Sequence, residues 1–502
     1  MADRSVAVVG GGVGGLSAAC YLADAGCDVR VLEKNEQLGG RASRLHRDGF
    51  RFDMGPSWYL MPDVFERFFG HFDRTFERFF SQFGYEPEDF YDLEHLAPHY
   101  RVFFTDGDQV DVTCDRKQLR EVFESYETGA GTAFEEYVET SARHYETAME
   151  HFVYADRSSV RDYLDPAVLR AAPVGLSLLG SMADHVEDYV DHPKLRQLLQ
   201  YTLVFLGGSP ETTPALYNIM THVDVNLGVY YPDGGMGSVI DALVELGSRL
   251  GVEYETNAEV ETIRGVPGRF RLDVDPGEST TAERVVVNAD YAHAEQELLP
   301  RDWRGHDPSY WDERTYAPSA YLLYLGVEGD LAPLAHHSLI LPPDWDRHFS
   351  QIFDTPTWPD DPAFYVCAPS RTDDSVAPEG HSALFILVPI APGLPDDPQH
   401  RERTRDLVLE RIASHAGLDL RDRIVVEEDF AVSEFADRYN ATRGTALGLA
   451  HTLRQTAILR PPIRSPAVEG LYFTGAFTRP GIGVPMCLIS GEHAANAVLE
   501  DA

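Results

Sequence analysis

The chain has 502 residues, enough for two or more folding units around a large core, and its 43% apolar and 11% aromatic content is that of a globular protein. Its 81 acidic residues against 42 lysines and arginines leave a net charge of −39. This excludes binding to nucleic acid or anionic lipid by general electrostatics. The acids are dispersed, so they form no disordered acidic tail, and Lys34, Lys117 and Lys194 are the only lysines. No run of 18 apolar residues occurs, so no transmembrane helix is expected. The first strand is predicted within five residues of Met1, which leaves no room for a signal peptide. The five cysteines make no C-x-x-C pair, which argues for a reducing cytoplasm with no metal and no disulfide framework.

In chain order, Val6 to Val9 reads as a short buried strand. Gly10, Gly12 and Gly15 then fit G-x-G-x-x-G, with Val13 and Gly14 inside it, and Leu16 to Ala25 reads as a small-residue helix. Gly10 permits the tight turn, Gly12 lets a phosphate approach the backbone, and Gly15 lets helix and strand pack closely. The helix start presents free N–H groups to a pyrophosphate. Asp28 to Leu32 is a second strand, closed by Glu33 about 20 residues after the glycines, where a carboxylate can accept from ribose hydroxyls. The pattern predicts dinucleotide binding without separating one dinucleotide from another. Lys34 follows, and after a spacer Gly39 and Gly40 allow a second close backbone approach beside the charge of Arg41.

Arg51 to Met54 reads as a strand turned by Gly55-Pro56-Ser57, and Trp58 to Phe69 as a core-facing aromatic helix. Tyr100 to Phe104 and Gln109 to Val112 form a hairpin signal around Asp106-Gly107-Asp108. From Asp115 to about Phe205 the period is helical, with Pro166 opening one helix. Ala167 to Met182 carries one charge and is too short to span a bilayer; a buried helix pair is the default, with a dip into the membrane or the lining of a hydrophobic channel as the alternative. Leu198 to Leu206 is similar. Ser238 is expected to cap a helix, Val239 to Leu250, stopped by Gly251, and Val252 to Ile263 to be strand material turning at Asn257. Phe270 to Val274 and Glu283 to Val287 read as a hairpin ending at Asn288-Ala289-Asp290. Ala320 to Val327 and Ser382 to Ile390 are continuous apolar strands. Gly470 to Gly475 is a strand ending at a glycine, and Pro480 to Gly483 turns into a helix from Val484 to Leu499.

These segments, in this order, resemble the carotenoid and phytoene desaturases of bacterial and archaeal type, within the flavin amine oxidase superfamily. The resemblance is carried by Gly10–Gly15, Glu33–Arg41, Asp53–Ser57, Tyr231–Met236, Asn288–Asp290 and Gly470–Gly491. It implies an α/β fold: a Rossmann-like FAD domain from residues 1–115, 220–295 and 425–502, a helical membrane-facing region over 116–219, and a mixed-sheet substrate domain over 296–424. It implies noncovalent FAD held at Gly10, Gly12, Val13, Gly14, Gly15, Glu33, Lys34, Gly39, Gly40 and Arg41. Gly55, Pro56 and Ser57 lie beside the flavin ring in that family, Val260 beside the adenine, and Gly475, Ala476, Gly483, Val484 and Pro485 along the flavin and ribityl chain.

Ala476 stands where flavin amine oxidases usually carry an acid, which favours the desaturase branch. The implied reaction removes hydrogens from a long polyene: phytoene to lycopene, with 3,4-desaturation toward C50 bacterioruberin as the alternative. A flavin amine oxidase and a non-enzymatic prenyl-lipid carrier stand further off. The acid-rich, lysine-poor composition resembles that of halophilic archaeal proteins. The expected setting is the inner face of the cell membrane, attached peripherally, with oxygen or a quinone as electron acceptor and homo-oligomerisation left open. No catalytic base is identifiable from spacing, and His293 and His493 read as structural.

Overall fold

The computed structural model describes residues 4–72, 84–157, 180–203 and 207–501. Its first layer is a five-stranded parallel sheet in the order Leu471–Phe473, Arg284–Val287, Ser5–Val9, Asp28–Leu32, Glu253–Glu255. Strands from the beginning, middle and end of the chain thus lie side by side. The first helix, Val13–Asp24, crosses the last, Val484–Glu500, at close range. A Cβ added at Gly491 would lie 2.5 Å from the Ser17 side chain and 2.7 Å from the Gly14 carbonyl oxygen. Ser17 Oγ donates across this crossing to the Leu488 carbonyl at 2.7 Å.

The predicted hairpin of residues 270–287 divides between two sheets. Arg269–Asp275 pairs antiparallel with Glu259–Val266 and with Thr280–Ala282, while Arg284–Val287 enters the parallel sheet. A short turn between two strand-like runs is a local signal; which sheet completes the pairing is not.

The second layer is a seven-stranded sheet, ordered Ile424–Phe430, Ser319–Glu328, His381–Ile390, Phe364–Cys367, His337–Leu341, Tyr100–Phe104, Gln109–Val112. Its two long central strands pair antiparallel from Ser319↔Ile390 to Glu328↔His381. Both faces are covered, which is why an antiparallel pair reads as continuous apolar runs. Tyr324, Phe385 and Tyr365 face a core shared with Phe123, Phe134 and Leu198; Leu323, Leu325 and Ile386 face Val408, Leu409 and Ile412 of the helix Pro398–His415.

The hairpin of residues 100–112 forms as expected, but its first strand pairs parallel with His337–Leu341. The expected borders at 115 and 425 would have put it, and residues 425–430 of the strand Ile424–Phe430, with the nucleotide unit. Strand pairing sets both in the seven-stranded sheet.

Two local readings change. The aromatic helix begins only at Pro62, after Met61 at a positive φ of 59°, so Trp58 stands outside it, stacked on His337. The helix expected from Val239 is Met236–Leu250, with Gly235 before it and Gly251 closing it in the left-handed region. Ser238 is inside the first turn and donates to the Asp233 carbonyl. The cap comes from far away: Asp53 accepts the backbone N–H of Met236 at 2.8 Å and of Gly237 at 3.1 Å. Pro166, most of Ala167 to Met182 and the end of Leu198 to Leu206 lie outside the described residues. Among the described residues no helix is long and apolar enough to cross a membrane.

Burial pushes the Asp53 carboxyl up to about 6, against the two N–H bonds that favour its charged form. A carboxyl whose folded pKa is raised binds its proton more tightly when folded, so it loses stability as pH climbs through the window from 3.8 to about 6. Denaturant titrations in high salt should therefore show wild type losing ground to Asp53→Asn over that interval. A constant difference between the two would contradict the assignment. At neutral pH Asp53→Ala should cost roughly 1–2 kcal/mol through the lost cap.

Candidate functional site

Two glycine turns face each other at the carboxyl ends of the parallel strands, the edge where open α/β sheets bind ligands. The first runs from Gly10, at φ 100°, into the helix beginning at Val13. The second is Gly39–Arg41. They touch by backbone: Gly39 N donates to Gly11 O at 2.8 Å, and a Cβ at Gly40 would lie 3.3 Å from the Gly12 Cα. Gly12 precedes the helix without a side-chain cap. The first N–H groups of that helix therefore have no intrahelical acceptor, which suits an anion.

Glu33 is buried beneath the first turn. Its Oε2 accepts Gly11 N at 2.8 Å, and its Oε1 accepts Asn35 N at 2.9 Å and Asn35 Nδ2 at 2.8 Å. A carboxylate has about four acceptor positions, so one remains, on Oε2. Val260 is buried near the start of a strand latched to this region, since Ala258 N donates to the Glu33 carbonyl. Lys34 points elsewhere, its Nζ donating to the Asp437 carbonyl and to Asn440 Oδ1. It ties the second strand to the C-terminal part of the chain.

Asn288, which opens the Asn288–Asp290 segment that carries the resemblance, sits at the centre. Its Nδ2 donates to the Gly10 carbonyl at 3.2 Å. Its Oδ1 is so near two other segments that a Cβ would come within 2.8 Å of it at Gly14 and 2.7 Å at Gly475. Its sequence signal was that segment, at the carboxyl end of an apolar strand; its contacts were not legible there.

The C-terminal turn closes the site from the other side. Gly475 N donates to Ser490 Oγ at 2.9 Å, and Gly483, at φ 123°, precedes the last helix, whose start holds Val484 and Pro485. His451 Nε2 accepts Ile482 N at 3.2 Å, and its Nδ1 meets the Tyr217 hydroxyl. Arg460 is buried and donates to the carbonyls of Gln455, Leu449 and Ala476, the last at 2.6 Å. It has no carboxylate partner among the described residues. Burial lowers its pKa to about 10, still far above neutrality, so the loop around Ala476 carries a fixed positive charge. Neither residue stood out in the sequence, since their function depends on a loop packing that spans over thirty positions.

Gly55–Ser57 joins the two layers. A Cβ at Gly55 would lie 2.7 Å from the Arg41 carbonyl oxygen. Tyr324 donates to the Met54 carbonyl at 2.9 Å, and Ser57 Oγ meets the Tyr365 hydroxyl at 2.7 Å. Arg41 reaches toward the Thr445 carbonyl at 3.4 Å and lies over the Tyr439 ring, while its Nε has no protein partner among the described residues. Paired glycine turns, an uncapped helix start and an arginine with an unused donor fit a pyrophosphate. His493 Nε2 meets the Val153 carbonyl at 2.9 Å.

A parallel sheet with a glycine-lined phosphate cradle, joined to an aromatic sheet, is the arrangement of a dinucleotide-binding oxidoreductase. The model of the family described as flavin containing amine oxidoreductase matches residues 13–499. The chain is 67% identical over 501 residues to a carotenoid 3,4-desaturase of Haloarcula japonica, covering 100% of this chain and 99% of that one. It is 34% identical over 500 residues to a zeta-carotene-forming phytoene desaturase of Myxococcus xanthus, covering 99% and 94%. Among solved structures, a putrescine oxidase superposes with a TM-score of 0.63 at 16% identity, covering 99% of each chain, a likeness of fold alone. The protein belongs to the flavin containing amine oxidoreductases, and within them to the FAD-dependent carotenoid desaturases.

Gly15 tests the cradle. Gly→Ala inside a helix ordinarily stabilises by about 1 kcal/mol, but here the new Cβ would stand 2.3 Å from the Gly10 carbonyl oxygen. Gly15→Ala is expected to reverse the sign, costing roughly 1–3 kcal/mol through overpacking and releasing flavin. Denaturant midpoints and flavin absorbance per chain check both.

Proposed function

We propose that the protein is a carotenoid 3,4-desaturase acting late in the route to a C50 carotenoid, and not the enzyme that converts phytoene to lycopene. The observation that supports this is the 67% identity along the whole length to a carotenoid 3,4-desaturase, against 34% to a zeta-carotene-forming phytoene desaturase. The expectation from the sequence thus shifts from its first reading to its alternative.

In this reading Gly10, Gly12, Val13, Gly14 and Gly15, with Gly39, Gly40 and Arg41, hold the FAD pyrophosphate. The remaining acceptor of Glu33 takes a ribose hydroxyl, Val260 lies against the adenine, and Lys34 props the loop from behind. Gly55, Pro56, Ser57, Gly475, Ala476, Gly483, Val484 and Pro485 surround the flavin ring and its ribityl chain. Bound FAD supplies the two-electron acceptor for the hydrogens removed from the polyene. The chain supplies orientation and dryness. Tyr324 and Tyr365 are buried on the sheet face behind the turn at Ser57, so water is excluded there. Arg460 holds its charge near Ala476, where negative charge arriving with the electrons would be stabilised.

The polyene is uncharged and lipid-soluble, so the reading includes peripheral attachment to the inner membrane face, driven by apolar contact because the surface is acidic. Oxygen or a quinone would reoxidise the cofactor, and a homo-oligomer is compatible with it.

Purified holoenzyme in high salt should produce red-shifted polyene bands from C45 or C50 intermediates in liposomes and none from phytoene. Efficient turnover of phytoene alone would overturn the assignment. Glu33→Ala should weaken FAD retention by roughly 1–3 kcal/mol through the lost charge-assisted bonds, read as flavin content after dialysis.

A further inference from the structure

Behind the turn at Ser57 the seven-stranded sheet carries a polar cluster. His337 and Cys367 are opposite each other in the pairing of His337–Leu341 with Phe364–Cys367, and His336 adjoins them. All three are buried, at 5%, 0% and 3% exposure for His336, His337 and Cys367. One ring nitrogen of each histidine and the Cys367 Sγ lie within 4.8 Å of one another.

The two imidazoles are held in place by hydroxyls. His336 Nδ1 meets Thr372 Oγ1 at 2.7 Å, and His337 Nδ1 meets the Tyr365 hydroxyl at 2.7 Å. Trp58 stacks flat on His337, 4.4 Å between centroids, and fixes its plane. The Nε2 of both rings has no hydrogen-bond partner among the described residues. Two orphaned ring nitrogens in one buried cluster need an occupant, since an unpaired buried polar atom is costly.

We propose that His336, His337 and Cys367 bind one zinc(II) ion. Two imidazoles and a thiolate are a zinc donor set, leaving a fourth position for water. Hydroxyls on the second ring nitrogens are the outer support that metal-bound histidines require. The thiol would give up its proton to the metal, as thiol ligands do. The resulting site carries one net positive charge, and Asp53 and Asp373 are the carboxylates that act on it. Asp373 accepts from Tyr231 and from Arg51 and is itself nearly buried. The ion would clamp two neighbouring strands directly behind the Tyr365–Ser57 hydroxyl pair. No C-x-x-C spacing announces it, because the ligands come from two strands thirty residues apart.

His95, His99 and Cys114 form a second group with close ligand atoms, but two of its members are exposed and its histidines already bond each other at 3.2 Å. It serves as the control.

Full-length, tag-free holoenzyme loaded with zinc and exchanged against a chromophoric chelator should retain about one ion per chain. X-ray absorption at the zinc edge should show one sulfur at about 2.3 Å and nitrogens at about 2.0–2.1 Å. Cys367→Ser and His337→Gln should each weaken zinc binding about tenfold or more, while Cys114→Ser leaves it unchanged. Flavin absorbance per chain reports whether each variant has folded. Should the Cys367 and His337 variants come out flavin-free, the sulfur shell of wild type together with full retention in Cys114→Ser decides the matter. Wild type that surrenders all zinc to the chelator, a zinc edge without sulfur, or loss of zinc in Cys114→Ser would each overturn the proposal, leaving water in the cluster.

Discussion

Three backbones meet around one amide side chain, and the rest of the molecule is arranged to let them. Asn288 touches the first glycine turn through the Gly10 carbonyl, lies against Gly14 at the helix start, and faces Gly475 of the last turn. A Cβ at Gly14 or Gly475 would collide with the Asn288 amide, so both positions are glycine. Close contact of peptide groups is what leaves a helix start and a second turn, Gly39–Arg41, open to a phosphate. A ligand held by backbone depends on the strands that aim the backbone. The parallel sheet that collects strands from residues 5, 284 and 471 is therefore a requirement of the site as much as of the core.

The second layer solves a different problem. A polyene offers no charge and few polar groups, so recognition must come from shape and dryness. A mainly antiparallel sheet buried on both faces provides a rigid wall, and its aromatic side chains reach the first layer through Tyr324 to Met54 and Tyr365 to Ser57. The same burial makes each polar group on the wall conspicuous. The histidines and the thiol beside Ser57 are the strongest instance, and a bound cation would relieve the cost of enclosing them.

The acidic surface acts at a distance from this chemistry. Each of the three lysines stands near a carboxylate: Lys34 at Glu259, Lys117 at Glu121, Lys194 at Asp106 and Asp108. With 81 acids against 42 lysines and arginines, concentrated salt would screen their repulsion. The Haloarcula relative fits that setting.

The sequence by itself determined what is local. Ser5–Val9, the glycine turn, Asp28–Leu32 with Glu33, and the glycine before the final helix were all legible because strand period, turn chemistry and helix start are written in neighbouring residues. Tertiary structure decided everything that pairs distant residues. Ser238 looked like a cap, yet Asp53 caps the helix from 183 positions away. Residues 284–287 looked like half a hairpin, yet they complete a parallel sheet. Arg460, His451 and the His336–His337–Cys367 cluster carry no spacing signature, because their partners are brought together only when non-adjacent strands and loops pack. Local propensity is set by neighbouring residues along the chain; the geometry of a site is set by which surfaces the folded core brings into contact.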